Sequence, residues 1–170
     1  MNLQDDDFAL FDLPRQFVLD GAQIDARWKA LQRQAHPDKF AAQGAAAQRL
    51  ALQWSVRINE ARQRLRDPLK RATYLCELHG QPIGAEDNTA MPADFLMQQM
   101  QWREELDDAE TPAQLQALAA DVQQAQAAAW QAMAQAIDQQ QDFAAAAQLV
   151  RRLMFMQRFA QDLHARQTQP

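Results

Sequence analysis

A helix cannot run through Pro37, which lacks a backbone N–H and whose ring pushes His36 out of the helical region. The stop falls between two stretches of helical apolar spacing. Before it come Ile24, Trp28, Leu31 and Ala35, at intervals of four, three and four; after it come Leu50, Trp54, Ile58 and Leu65, ended by Asp67-Pro68. The chain must therefore double back. The spacing predicts a helix over residues 21–35 packed antiparallel on a second one, with Trp28 and Trp54 filling the space between and the turn at the open end. That turn presents an imidazole, a rigid ring and a carboxylate (His36, Pro37, Asp38), followed by Lys39, at the end of a helix carrying Arg27, Lys29 and Arg33. The set suits gripping a partner protein. The plainer reading, a helix stop in which Asp38 caps the next segment, stands beside it.

Four Gly and seven Pro in 170 residues leave little room for turn-rich β structure, so the expected class is all-α. One cysteine, Cys76, can close no intramolecular disulfide and build no metal site alone. We expect no metal, no cofactor and a reducing, cytoplasmic setting. The acidic N-terminus has no apolar run, and no segment approaches the roughly 18 apolar residues of a membrane span. Residues 1–80 hold 12 Lys/Arg against 10 Asp/Glu, whereas residues 81–170 hold 5 against 12. A basic half and an acidic half suggest two surfaces for two partners, and solvated helix faces would give the same split. Nucleic acid is an unsuitable partner at a net charge of −5, because phosphate binding needs a dense basic surface.

Upstream of the hairpin, residues 8–20 read as one helical turn and an apolar loop that covers a core. Downstream, residues 69–79 place Ala72, Leu75, Cys76 and His79 on one face and end at Gly80, with His79 a packing residue. The breakers Gly80, Pro82, Gly84, Asn88 and Pro92 mark a linker over residues 81–92, which divides a first domain, 1–80, from a second, 93–170. Thr111-Pro112 with Gln114 reads as cap, first-turn proline and capping box, splitting the rest into helices over 93–109 and 112–140. A break near Gln141-Asp142 precedes a last helix with Leu149, Val150, Leu153, Met156, Ala160 and Leu163 inward. Three helices make a bundle.

The segment 93–109 has more apolar surface than such a bundle needs. At about 100° per residue, Phe95, Trp102 and Leu106 share one direction, while Leu96, Met97 and Met100 lie roughly 100–200° away and Glu104, Asp107 and Asp108 continue that second stripe. Phe155 likewise points away from the stripe of its own helix and is free to join them. Exposed Met-containing patches are typical of adaptable protein-binding surfaces. The other reading has the second stripe packing on the first domain.

Phe8-Ala9-Leu10-Phe11-Asp12-Leu13, Leu31-Gln32-Arg33-Gln34-Ala35-His36-Pro37-Asp38-Lys39-Phe40, Ile58-Asn59-Glu60-Ala61 and Leu65-Arg66-Asp67-Pro68-Leu69-Lys70-Arg71-Ala72, in that order, resemble a J-domain. Phe95-Leu96-Met97, Arg103-Glu104-Glu105-Leu106-Asp107 and Tyr74-Leu75 with Leu78-His79-Gly80 look like the HscB co-chaperones of iron–sulfur cluster assembly, in their bacterial form. The resemblance implies that His36, Pro37, Asp38, Lys39, Arg27, Lys29 and Arg33 dock on an HscA-type heat-shock ATPase chaperone and trigger its ATP hydrolysis. It also implies that Leu96, Met97, Met100, Glu104, Asp108 and Phe155 bind an IscU-type iron–sulfur scaffold protein. Ala35 departs from the tyrosine that J-domains usually carry before the His-Pro-Asp turn. No Gly/Phe-rich stretch and no Cys-x-x-Cys zinc module is present, which disfavours general binding of unfolded clients.

Catalysis then belongs to the partner. Treating His36 and Asp38 as an acid–base pair gives two groups on an exposed turn without a pocket, an orienting third group or a nucleophile. Two other readings are a helical interaction module without an ATPase partner and a general J-domain co-chaperone without the iron–sulfur scaffold.

Overall fold

The helices end where proline, glycine and capping residues stop them. In the computed structural model, which describes residues 2–84 and 91–169, the described residues form seven α-helices and no strand. The chain divides into two compact units, Met1–Leu75 and Cys76–Pro170. Part of the expected linker, residues 85–90, lies outside the described residues.

The first unit begins with the single turn α1 (Asp7–Leu10), capped by Asp6, whose carboxylate accepts from the Ala9 N–H at 2.9 Å. Phe8, Leu10, Phe11, Leu13 and Phe17 are all buried, so this stretch covers a core as expected, except that Val18 faces solvent. Helix α2 (Gly21–Ala35) stops as Pro37 requires, with His36 extended at φ −61° and ψ 130°. The chain after it is wound into a 3₁₀ helix (Pro37–Gln43) before Gly44, at φ 99°, opens α3 (Ala45–Arg66). Asp67 ends α3 and caps α4 (Pro68–Leu78), accepting from the Leu69 and Lys70 N–H groups at 2.9 and 3.0 Å. Gly80, at φ 75°, closes the segment after α4 in the left-handed conformation that glycine adopts without cost.

Helices α2 and α3 do form an antiparallel hairpin, since Asp25 pairs with Arg62 while Trp28 and Gln32 meet Asn59. The filling between them is not the one the spacing suggests. Ile24, Leu31, Ala35, Ala51, Ile58, Ala61 and Leu65 are buried, whereas Trp28 and Trp54 are only half-buried and Leu50 is 49% exposed. Helical angle places a residue on a stripe; the taper of the hairpin decides how much of that stripe is covered. At the open end only alanine-sized side chains are inside.

Two buried charges tie this unit together, and neither follows a periodic pattern. Asp7, fully buried, accepts from Arg57 at 2.7 Å and from Arg64 at 2.6 and 2.9 Å, and its N–H donates to the Tyr74 hydroxyl at 3.0 Å. The Asp7 carboxylate in turn favours the charged form of Arg64 and raises its pKa. Arg71 donates to the carbonyls of Phe17 (2.6 Å) and Leu65, so a cation satisfies backbone acceptors and latches the loop before α2 to the α3–α4 corner.

The second unit holds α5 (Ala93–Asp108), α6 (Pro112–Ala134) and α7 (Phe143–Gln167). The capping box is present: Gln114 N–H donates to Thr111 Oγ1 at 3.2 Å, and Gln114 Oε1 accepts from the Thr111 N–H at 3.1 Å. Asp94 pairs with Arg152 and Arg103 with Asp162, so α5 and α7 run in one direction and α6 returns the chain. Leu118, Val122, Met133, Val150, Leu153, Met156 and Leu163 form the core, joined by Phe95, Trp102 and Phe159. The helical run after α6 is widened into a π turn (Gln135–Gln139) and stops at Gln141, a non-glycine residue at φ 51°. That conformation is strained for a side chain bearing a Cβ. We expect Gln141→Gly to raise stability by about 1 kcal/mol, read as a higher urea midpoint at unchanged slope.

Cys76 is buried, its thiol directed at the Phe143 carbonyl at 3.9 Å. Burial pushes the thiol pKa up to about 11, against the opposing pull of Arg151. His79 stacks on Phe143 with ring centroids 3.7 Å apart, the packing role expected of it.

Candidate functional site

Two surfaces carry the residues of interest, one on each unit. On the first, the His36-Pro37-Asp38 turn is held from inside by two hydrogen bonds that His36 accepts, one at its ring and one at its carbonyl. Asp38 N–H donates to His36 Nδ1 at 3.2 Å and Lys39 N–H to the His36 carbonyl at 3.0 Å. His36 thus caps the 3₁₀ helix through its ring, and the Asp38 carboxylate is not the cap. Nδ1 must be unprotonated to accept that bond, so the 3.6 Å approach of the Asp38 carboxylate to Nδ1 is not an ion pair in this state. The Asp38 side chain is 91% exposed. Its acceptor oxygens point into solvent on a turn that cannot easily change shape, because Pro37 fixes φ.

The cations expected to accompany the turn are not equivalent. Lys29, Arg33 and Lys39 are exposed and make no ion pair among the described residues, whereas Arg27 is half-buried and lies 3.6 Å from Asp12. Three exposed, unpaired positive charges therefore accompany the turn in sequence, with a fourth, Arg27, partly neutralised.

On the second unit the outward ridge of α5 carries the surplus apolar surface. Leu96, Met97 and Met100 are 44%, 69% and 72% exposed, and Glu104 and Asp108 follow in solvent. Trp102 is buried instead, stacked on Phe159 at 5.5 Å. The expected patch is divided among three grooves beside this ridge. Toward α7, an open groove of about 630 Å³ is lined by Gln99, Met100, Arg103, Glu104, Asp108 and Phe155. Toward α6, Gln101, Glu104, Glu105, Asp108 and Asp121 line a second of about 480 Å³, while Met97 leans over a third with Gln98 and Trp102. Glu104 and Asp108 border both sides of the ridge.

Phe155 is half-buried and not loose. It meets Phe95 edge-on at 5.5 Å and stacks near Trp102 and Phe159, with the Arg103 guanidinium 5.9 Å above its ring. Arg103, which also pairs with Asp162 at 3.1 Å, straps α5 to α7 over the aromatic floor of the groove. No spacing rule singles out Arg103 or Asp121, because their partners are set by which helix lies alongside. The ridge offers adaptable thioether surface beside carboxylates, a chemistry that suits an apolar segment flanked by cations.

Three comparisons bear on what these surfaces belong to. Residues 91–164 match the family model described as the HSCB C-terminal oligomerisation domain. The co-chaperone protein HscB homolog of Burkholderia multivorans is 49% identical over 168 residues, covering 97% of this chain and 95% of that one. Among solved structures, chaperone HscB from Vibrio cholerae superposes with a TM-score of 0.78 at 34% identity, over 95% of this chain and 96% of the other. The crystal structure of human co-chaperone protein HscB gives a TM-score of 0.88 at 27% identity, over 99% of this chain and 85% of the other.

Proposed function

The chain belongs to the HscB family of co-chaperones, and on that footing we propose that it couples an IscU-type iron–sulfur scaffold protein to an HscA-type heat-shock ATPase. The α5 ridge, with Leu96, Met97, Met100, Glu104 and Asp108 beside Phe155, holds the scaffold. His36, Pro37 and Asp38, with Lys29, Arg33 and Lys39 and the partly neutralised Arg27, engage the ATPase and stimulate its ATP hydrolysis. Hydrolysis is then promoted when client is present, which aids maturation and transfer of the cluster. Residues 1–80 act as the J-domain, 81–92 as linker and 93–170 as the scaffold-binding bundle, in the cytoplasm.

The observation that carries this reading is the presence, on separate units, of two exposed surfaces of opposite chemistry. One is a rigid turn with an unsatisfied carboxylate among free cations; the other is a Met-rich ridge among free carboxylates. Charged rims steer encounter and set its salt dependence, while desolvated apolar anchors supply affinity.

Steady-state ATP hydrolysis by the HscA-type chaperone, with and without the scaffold, tests it. The wild type should accelerate hydrolysis, and more so with scaffold. Met97→Ala/Met100→Ala removes only exposed thioethers, so the fold and the scaffold-independent acceleration should persist while the scaffold concentration for half effect rises about ten-fold. If the scaffold-dependent part ignores this change, the ridge serves another client, as in a general J-domain co-chaperone.

A further inference from the structure

The Ile58-Asn59-Glu60-Ala61 stretch has a role that neither surface uses. Ile58 and Ala61 are core, but Asn59 is exposed, and its side-chain oxygen accepts two hydrogen bonds across the hairpin: from the Trp28 indole N–H at 2.9 Å and from the Gln32 amide at 2.8 Å. Trp28 and Gln32 lie one turn apart on α2. A single acceptor that joins both fixes the rotation of α2 about its own axis, as well as its distance from α3. The Arg62 guanidinium, 3.3 Å from Asp25, closes the clip by lying over the Trp28 ring at 4.5 Å.

Packing alone holds this end of α2 weakly. Toward the base of the hairpin Ile24 and Leu31 face Ile58 and Leu65, but toward the turn the buried residues shrink to Ala35 and Ala51, and Leu50 and Trp54 stand partly in water. Methyl groups interlock poorly, so they leave helix rotation free. Arg33 sits on that weakly interlocked part of α2, and the His36-Pro37-Asp38 turn follows it directly, with Lys29 one turn before Arg33.

We infer that Asn59 is a positioning residue for the co-chaperone's action on its ATPase. It holds α2 in the rotational setting that aims Lys29, Arg33 and the turn at one partner surface, and it acts through Trp28 and Gln32 without touching the partner. This rests on the proposed ATPase partnership. A purely structural part is the alternative, and the two differ in what they move. Exposed hydrogen bonds add little to folding, because water competes for the same groups, whereas misaimed cations weaken association.

The test is ATP hydrolysis by the HscA-type chaperone as a function of co-chaperone concentration, for wild type, Asn59→Ala, Asn59→Asp, Trp28→Phe and the double variant Trp28→Phe/Asn59→Ala. The temperature is one at which circular dichroism shows every protein folded. Asn59→Ala should raise the half-saturating concentration about five-fold with little change in the maximal rate, and Asn59→Asp, which keeps acceptor oxygens in place, should stay within about two-fold of wild type. The double variant should be no worse than Asn59→Ala. Equal half-saturation for Asn59→Ala and wild type overturns the inference, as does an Asn59→Asp protein impaired as much as Asn59→Ala. A wild type that leaves the ATPase unstimulated overturns the proposed function itself, and the inference with it.

Discussion

Asp38→Asn is expected to leave the protein folded and to cut stimulation of the ATPase by about 30-fold or more, the loss of a charge-assisted bond to a partner cation. The fold has no use for this carboxylate. Its side chain is 91% exposed, and the bond that shapes the turn runs from the Asp38 main-chain N–H to His36 Nδ1, which asparagine preserves. Thermal unfolding should therefore be unchanged while stimulation disappears, a separation that a general loss of structure would not give. Asparagine keeps one acceptor oxygen but no charge, so any residual stimulation measures the neutral hydrogen bond. Unaltered stimulation would sink the role given to the turn.

Asp7→Asn should show the opposite pattern, a large loss of stability from a residue that belongs to neither surface. The Asp7 carboxylate is fully buried and is shared by Arg57 and Arg64. Neutralising it leaves two guanidinium groups facing each other without their counter-ion, and breaking a buried pair from one side costs about 3–5 kcal/mol. Arg57 and Arg64 are 18% and 36% exposed and recover some hydration, so we expect about 3 kcal/mol, a large part of the ordinary stability of a small domain. Urea unfolding should show a lower midpoint for the first unit at a similar slope. A shift below roughly 1 kcal/mol would mean that the network is replaceable by water.

The two cases mark what could be read from the chain. Pro37, Asp67-Pro68, Thr111-Pro112 and Gly80 act on their immediate neighbours, so helix ends followed directly from residue chemistry. Periodicity then gave the inward faces, because angle around a helix axis is a local property. Asp7 is a different matter. In the sequence it is the last of three adjacent aspartates in an acidic terminus, and its partners lie 50 and 57 residues away. Arg71, bonded to a carbonyl 54 residues distant, is equally silent. The surplus stripe on α5 was legible as surplus, but its division among three grooves depends on which helix lies on each side, and that is set by the assembled bundle. Trp28 was placed on the correct face and given the wrong partner, since its ring edge bonds Asn59 instead of filling the hairpin.

The sealed thiol of Cys76 has a meaning beyond packing. Iron and sulfide in a scaffold are held by soft ligands, and any accessible thiolate nearby competes for them. The only cysteine of this chain is buried, its pKa pushed up to about 11, so at neutral pH it is an enclosed, protonated thiol and offers no thiolate to a metal. In the proposed role, this leaves the chain able to hold a scaffold without setting a thiolate of its own against the scaffold's ligands.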